Sequence, residues 1–127
     1  MNVLGKLFFV TGADGFIGSH LVELLVEQGA IVRALVFYNS WNEIGWLKDI
    51  PKNILEQVEI VRGDVRDSDH MQELVRGCDY VMHLSSLIAI PYSYHAPRSY
   101  VETNVIGALN ILQACRNSDS LIKLVHV

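Results

Sequence analysis

Three glycines at regular spacing carry the first chemistry in this sequence. They are Gly12, Gly15 and Gly18, within Thr11-Gly12-Ala13-Asp14-Gly15-Phe16-Ile17-Gly18-Ser19-His20-Leu21. Before them Lys6-Leu7-Phe8-Phe9-Val10 is a short apolar run of β-formers; after them Ile17, Leu21, Leu24 and Leu25 recur at helical spacing. A glycine-rich turn between a buried strand and an amphipathic helix gathers several backbone N–H groups and the positive end of a helix dipole at one point. That is an anion site, and its usual occupant is a dinucleotide pyrophosphate. Gly12 can leave the strand with a positive φ, Gly15 has no side chain to block a phosphate, and Gly18 lets the helix lie close on the strand. The spacing is G-x-x-G-x-x-G, not G-x-G-x-x-G. The stretch Gly12, Ala13, Asp14, Gly15, Phe16, Ile17 and Gly18 is thus the candidate cofactor-binding turn.

Other residues of the right type fall at strand ends, where doubly wound sheets bind their ligands. Asp64, leaving the strand 58–62, is placed to accept from an adenine amino group, with the Val65 backbone beside it, a reading favoured over the alternative of an Asx-turn. Leu84, Ser85 and Ser86 end another strand, and the two small serines would let a ribose or nicotinamide lie against the backbone. Asn104 is a polar residue within an apolar helical stripe and wants a partner, which a nearby backbone group would also supply. A dinucleotide fold usually places an acid about 20 positions past the glycines to hold a ribose hydroxyl. Val36 and Phe37 stand there, with no carboxylate in the strand. That favours NADP over NAD. Arg33 would help hold a 2′-phosphate only if it points out of the strand toward the ribose. Tyr92, Ser93, Tyr94 and His95 form a polar–aromatic cluster above a strand end, either lining a substrate pocket or packing on one another.

The elements that must position these residues alternate along the chain. Residues 6–11 read as a strand and 16–28 as a helix closed by Gly29; 31–36 is the second strand. Residues 39–48 read as a turn into a short helix, with Ser40 as N-cap and Glu43 completing a capping box. Trp41 and Trp46 are expected to pack against the sheet, with a place beside the adenine as the other option. Pro51 ends that helix, and 51–57 reads as a polar connection. Strand 58–62, helix 68–76 capped by Asp67, strand 78–84, the loop 87–95, helix 98–116 and strand 121–127 complete the chain. The long helix is expected to bury Val101, Val105, Ala108, Leu109 and Leu112. Such alternation requires an α/β fold: a Rossmann-type doubly wound parallel sheet with helices on both faces and strand order 3-2-1-4-5.

Composition narrows the function classes. With 127 residues, 50% of them apolar and 19% charged, this is one soluble-type domain. A net charge of −4 without a basic cluster argues against nucleic acid as a partner. No apolar segment approaches the ~18 residues of a membrane span, and the N-terminus lacks the build of a signal peptide. Cys78 and Cys115 read as free buried thiols of a cytoplasmic protein. His83 reads as a packed core histidine, and the five histidines show no metal-ligand spacing, so no metal site is expected.

With these residues in place the chain resembles the N-terminal half of an extended short-chain dehydrogenase/reductase, of the NAD-dependent epimerase/dehydratase group. The matching pieces are Thr11–Leu21, Gly63-Asp64-Val65-Arg66-Asp67, His83-Leu84-Ser85-Ser86 and Ser99–Gly107. The stretches 34–40, 45–47 and 90–97 are similar to bacterial nucleotide-sugar 4,6-dehydratases that act on UDP-N-acetylhexosamines in legionaminic-type sugar pathways. The resemblance implies NAD or NADP as cofactor, a nucleotide-sugar substrate, a homodimeric parent enzyme and lyase chemistry. That chemistry is oxidation at the sugar C4, loss of water across C5–C6 and return of the hydride to C6. It places Gly12, Gly15 and Gly18 at the pyrophosphate, Asp64 and Val65 at the adenine, and Ser85 and Ser86 where the family usually has two alanines. Asn104 matches an asparagine that supports the active-site geometry.

The family's catalytic Ser/Thr and its Tyr-x-x-x-Lys pair follow the fifth strand, and no tyrosine here has a lysine four positions on. The expectation is therefore a dinucleotide-binding portion of a longer enzyme, inactive alone, with the substrate region absent. A nucleotide-sugar 4-epimerase is the alternative enzyme, and a non-catalytic NAD(P)-binding sensor or remnant the alternative of another class. The apolar edge at 121–127 is expected to cause self-association.

Overall fold

Phe8, Phe9, Val10 and Thr11 are all fully buried, so the first strand has no solvent face. Only a central strand of a sheet covered on both sides has that environment. The computed structural model, which describes residues 2–127, shows how it arises. The strands are β1 (Leu7–Thr11), β2 (Ile31–Phe37), β3 (Glu59–Gly63), β4 (Tyr80–His83) and β5 (Lys123–His126). All are parallel, in the order β3-β2-β1-β4-β5. This is the Rossmann-type doubly wound sheet and strand order expected from the sequence.

Two apolar layers sandwich the sheet. One packs Phe8, Val10, Val32, Val36, Val22 and Leu47 with the helix α1 (Phe16–Glu27). The other packs Phe9, Leu35 and Val81 against Met71 and Val75 of α3 (Ser68–Val75) and Ile111 of a later helix. Alternate residues of β1 therefore feed opposite cores, as a strand's period of two demands. Phe8 stacks on Tyr80 of the neighbouring strand, ring centroids 4.7 Å apart. The turn back into β2 uses Gly29 at φ +87°.

Between β2 and β3 the local reading needs correction. Ser40 caps nothing: the helical turn there is a 3₁₀ turn, Gly45–Asp49, and Ile44 precedes it. Asn39 organises the segment instead. Its Oδ1 accepts from the Trp41 and Glu43 amides at 3.1 and 3.0 Å, and its Nδ2 donates to the Glu43 carbonyl at 3.0 Å. An Asn side chain mimics a backbone turn, and that outcompetes the serine cap. Trp41 is 81% exposed and Trp46 50%, so neither packs into the sheet. Residues after Pro51 are not merely a connection, because α2 (Lys52–Leu55) buries Ile54. Asp67 holds the N-cap position of α3 but makes no side-chain capping bond.

The long C-terminal helix is real but interrupted. After a single turn, α4 (Ile90–Ser93), it runs as α5 (Pro97–Val101), a π-helical turn over Glu102–Ile106, and α6 (Gly107–Arg116). A π turn closes i→i+5 bonds and inserts an extra residue, shifting one face against the next by about 100°. The expected stripe is wrong: Val101, Val105, Leu109 and Leu112 are exposed, and only Ala108 of that set is buried, Leu109 and Leu112 each lying one residue off the Ala108–Ile111 face. The buried face of α6 is Gly107, Ala108, Asn110, Ile111 and Ala114.

Candidate functional site

The glycine turn is built by close approach. Gly12 has φ +68°, and a Cβ there would meet the Leu84 carbonyl carbon at 2.9 Å and the Ser85 amide nitrogen at 3.0 Å. A Cβ on Gly18 would lie 2.0 Å from the Gly12 carbonyl oxygen. Helix α1 thus presses its first turn directly onto the end of β1. No side chain caps α1, and its first turn contains no acid, so its leading N–H groups stay open to an anion.

Thr11 ties the two central strands together, a role that its place beside Gly12 does not announce. Its buried Oγ1 accepts from the Leu84 and Ser85 amides at 3.0 and 3.1 Å and lies 2.7 Å from His83 Nδ1. With both lone pairs occupied, the hydroxyl proton goes to Nδ1, which leaves the ring proton on Nε2. Burial, with the His126 charge nearby, lowers the His83 pKa to about 4. His83 is the core histidine that the sequence predicts. The thiols of Cys78 and Cys115 are pushed up to about 11 by burial. Among the described residues no three His, Cys, Asp or Glu side chains converge as metal ligands, and no helix is long and apolar enough to cross a membrane.

A cavity of about 950 Å³ opens over the C-terminal ends of β1, β2, β3 and β4. It brings together Gly12, Asp14, Gly15, Phe16, Ile17 and Gly18 from the turn, Asp64 and Val65 from beyond β3, and Leu84, Ser85 and Ser86 from beyond β4. Ala13 is the candidate it leaves out: that residue is fully buried and anchors the turn by donating to the Leu35 carbonyl at 3.3 Å. Tyr92 reaches the wall, but Ser93, Tyr94 and His95 do not. Asn104 stands behind the wall. Its Oδ1 accepts from the Leu87 amide at 2.8 Å and its Nδ2 donates to the Leu87 carbonyl at 2.9 Å, bracing the segment after β4.

Asp64 realises its local option. Oδ1 accepts from the Arg66 amide at 2.9 Å, and Oδ2 takes Arg66 Nε and Nη2 at 2.9 and 2.6 Å. Burial raises its pKa, but these Arg66 donors outweigh it and hold the carboxyl below its usual range. Arg66 itself lines the cavity, a contribution that sequence reasoning missed. The adjacent Val65 is seated by α6: Asn110 Nδ2 donates to its carbonyl at 2.9 Å, and a Cβ on Gly107 would strike its side chain at 2.6 Å.

Two charged side chains bear on the reading of β2. Arg33 does not reach the cavity; its guanidinium binds Glu59 at 2.9 Å and the Leu74 carbonyl at 2.7 Å. β2 itself ends without a carboxylate, and from the glycine turn Asp14 Oδ2 accepts from the Phe37 amide at 3.2 Å. Burial raises the Asp14 pKa.

The cradle, the open helix terminus and the cavity volume fit a dinucleotide, whose pyrophosphate needs amide donors and no intervening Cβ. Comparisons with known proteins point the same way. Residues 9–127 match the GDP-mannose 4,6 dehydratase family. The chain is 34% identical over 119 residues to UDP-glucuronate 4-epimerase 2 of Arabidopsis thaliana, covering 91% of this chain and 27% of that one. It is 32% identical over 118 residues to cinnamoyl-CoA reductase 1 of Petunia hybrida, covering 93% and 34%. The UDP-glucose 4-epimerase of Thermotoga maritima, solved with UDP-glucose, superposes with a TM-score of 0.80 at 25% identity, over 95% of this chain and 37% of that one. The chain thus spans about a third or less of the length of the curated relatives it matches.

Proposed function

Since the chain belongs to the GDP-mannose 4,6 dehydratase family, among the NAD-dependent epimerases and dehydratases, we propose that it is the dinucleotide-binding region of a nucleotide-sugar 4,6-dehydratase. The observation that carries this reading is the uncapped N-terminus of α1, set by Gly12, Gly15 and Gly18 at the mouth of a cavity of about 950 Å³. When bound, the nicotinamide would supply the hydride acceptor for oxidation at C4 and the donor for reduction at C6. The chain's own residues bind and orient. The α1 amides take the pyrophosphate, Asp64 and the Val65 backbone flank the adenine, and Leu84, Ser85 and Ser86 form a floor tied down by Thr11, with Asn104 bracing Leu87 just beyond it.

A nucleotide-sugar 4-epimerase is the second reading, favoured by the Arabidopsis and Thermotoga relatives. It shares the oxidation step and differs in where the hydride returns. The two are separated by product. Given a UDP-N-acetylhexosamine, a protein carrying this region together with a Tyr-x-x-x-Lys helix should yield a 4-keto sugar with a new C6 methyl signal by NMR. A C4 epimer without that methyl would overturn the dehydratase in favour of the epimerase.

The site itself is tested on the chain by calorimetric titration with NAD⁺ and NADP⁺. Gly15 has φ −79°, and a Cβ there would meet only the Gly12 carbonyl oxygen at 3.3 Å, so Gly15→Asp should fold with a shift of a few tenths of an ångström while bringing a carboxylate to the cradle. Binding should fall by at least about tenfold, by like charge alone. Undiminished binding in that variant would remove the cradle from the site.

A further inference from the structure

Resting on the dinucleotide reading above, we propose that Asp14 selects the cofactor: its carboxylate takes the 2′-hydroxyl of the adenosine ribose, and the site prefers NAD to NADP. The argument is positional. In sheets of this type the acid that holds this hydroxyl usually ends β2. Here β2 ends in Leu35-Val36-Phe37, and Leu35 and Phe37 present apolar side chains to the cavity wall. The glycine turn fills the gap. Asp14 lines the same cavity, and its Oδ2 accepts from the Phe37 amide at 3.2 Å. A carboxylate of the first loop therefore stands at the end of the second strand.

The placement is held from both sides. On one side the Ala13 amide donates to the Leu35 carbonyl at 3.3 Å. On the other the Trp46 amide donates to the Asp14 carbonyl at 2.9 Å. Gly45 makes that approach possible: it sits at φ +58°, and a Cβ on it would fall 2.4 Å from the Asp14 carbonyl oxygen. The carboxylate spends one acceptor position on Phe37 and has others for a ribose hydroxyl.

Charge acts in the same direction. A 2′-phosphate beside Asp14 would meet like charge. The cations of this corner are already engaged. Arg62, whose charge Asp14 feels, donates Nη1 to the Glu43 carbonyl at 2.9 Å and Nη2 to the Asn42 carbonyl at 3.1 Å. Arg66 is paired with Asp64 and lies 3.5 Å from Glu102.

Calorimetric titration with NAD⁺, NADP⁺ and the NAD⁺ analogue lacking the adenosine 2′-hydroxyl tests the assignment. The wild-type chain should bind NAD⁺ about tenfold or more tightly than NADP⁺, and removal of the 2′-hydroxyl should weaken binding by about tenfold. Asp14→Asn keeps an acceptor for the Phe37 amide and removes the charge, so the NAD⁺/NADP⁺ ratio should fall by about tenfold. In Asp14→Ala the analogue should bind as well as NAD⁺ does. If Asp14→Ala loses its circular dichroism signal, the ratio in Asp14→Asn decides alone. Equal wild-type affinity for both cofactors, or an unchanged ratio in Asp14→Asn, overturns the assignment and leaves a dinucleotide site standing. Binding of neither cofactor by the wild-type chain overturns the reading of the site itself.

Discussion

His83 is 2% exposed, and its Nδ1 receives the Thr11 hydroxyl while its ring lies 5.1 Å from that of His126. Protonating it would expel the Thr11 proton and place a buried charge beside a second imidazole. Its folded pKa of about 4 therefore lies below the ordinary value of 6.5. A histidine depressed in this way contributes stability that is fully present above pH 6.5 and is lost as pH falls toward 4. Between pH 6.5 and 5 the loss should amount to about 1.5 kcal/mol, read from urea midpoints. The raised Asp14 works in the opposite sense, so the two proteins compared must both retain it. His83→Gln retains an acceptor for Thr11 and cannot titrate, so its stability should stay flat over the same window. An identical fall in both proteins would show that some other group titrates.

Asn104 shows how an element, rather than a residue, aims a side chain. In an unbroken α-helix its position belongs to the same stripe as Val101 and Ala108. The π turn over Glu102–Ile106 detaches this segment from the face of α6 and lets both amide atoms of Asn104 meet the backbone of Leu87. Asn104→Ala leaves that part-buried N–H and C=O without partners, at a cost of about 1–3 kcal/mol. The Leu87 amide should exchange with solvent faster by at least about tenfold in native-state hydrogen exchange, while amides of β1 change only by the overall loss of stability. A Leu87 amide that remains as protected as in the wild type would mean that the wall after β4 is held by something else.

At the scale of the molecule, the sheet has two edges, and β5 is one of them. Its outward residues are largely exposed, and α5 and α6 add the exposed Val101, Val105, Leu109 and Leu112. An unpaired strand edge and an uncovered apolar helix face both invite a second chain. We expect concentration-dependent self-association in sedimentation velocity. Lys123→Pro, which removes a backbone N–H at the start of the edge, should separate the two contributions. If association persists in that variant and is abolished by Leu109→Glu, the helix face is the contact; a strictly monomeric wild-type chain would overturn the expectation.

The sequence alone determined the sheet, its strand order and the glycine turn, because these rest on short-range signals: apolar runs, helical spacing and the positions where only glycine fits. It also brought Asp64, Ser85 and Ser86 to the crevice, since strand ends of a doubly wound sheet converge on one side whatever the details. Only the tertiary structure decided the rest. The extra residue of the π turn leaves no mark in a 3.6 period, so the aim of Asn104 was not legible, and which apolar face of α6 meets the sheet is settled only by packing. Asn39 defeats Ser40 by bonding two amides at once, a contest that local propensity cannot score. Asp14 is 23 residues from Phe37 along the chain and one hydrogen bond from it in space. The carboxylate missing from the end of β2 could be found only where parallel strands bring two loops side by side.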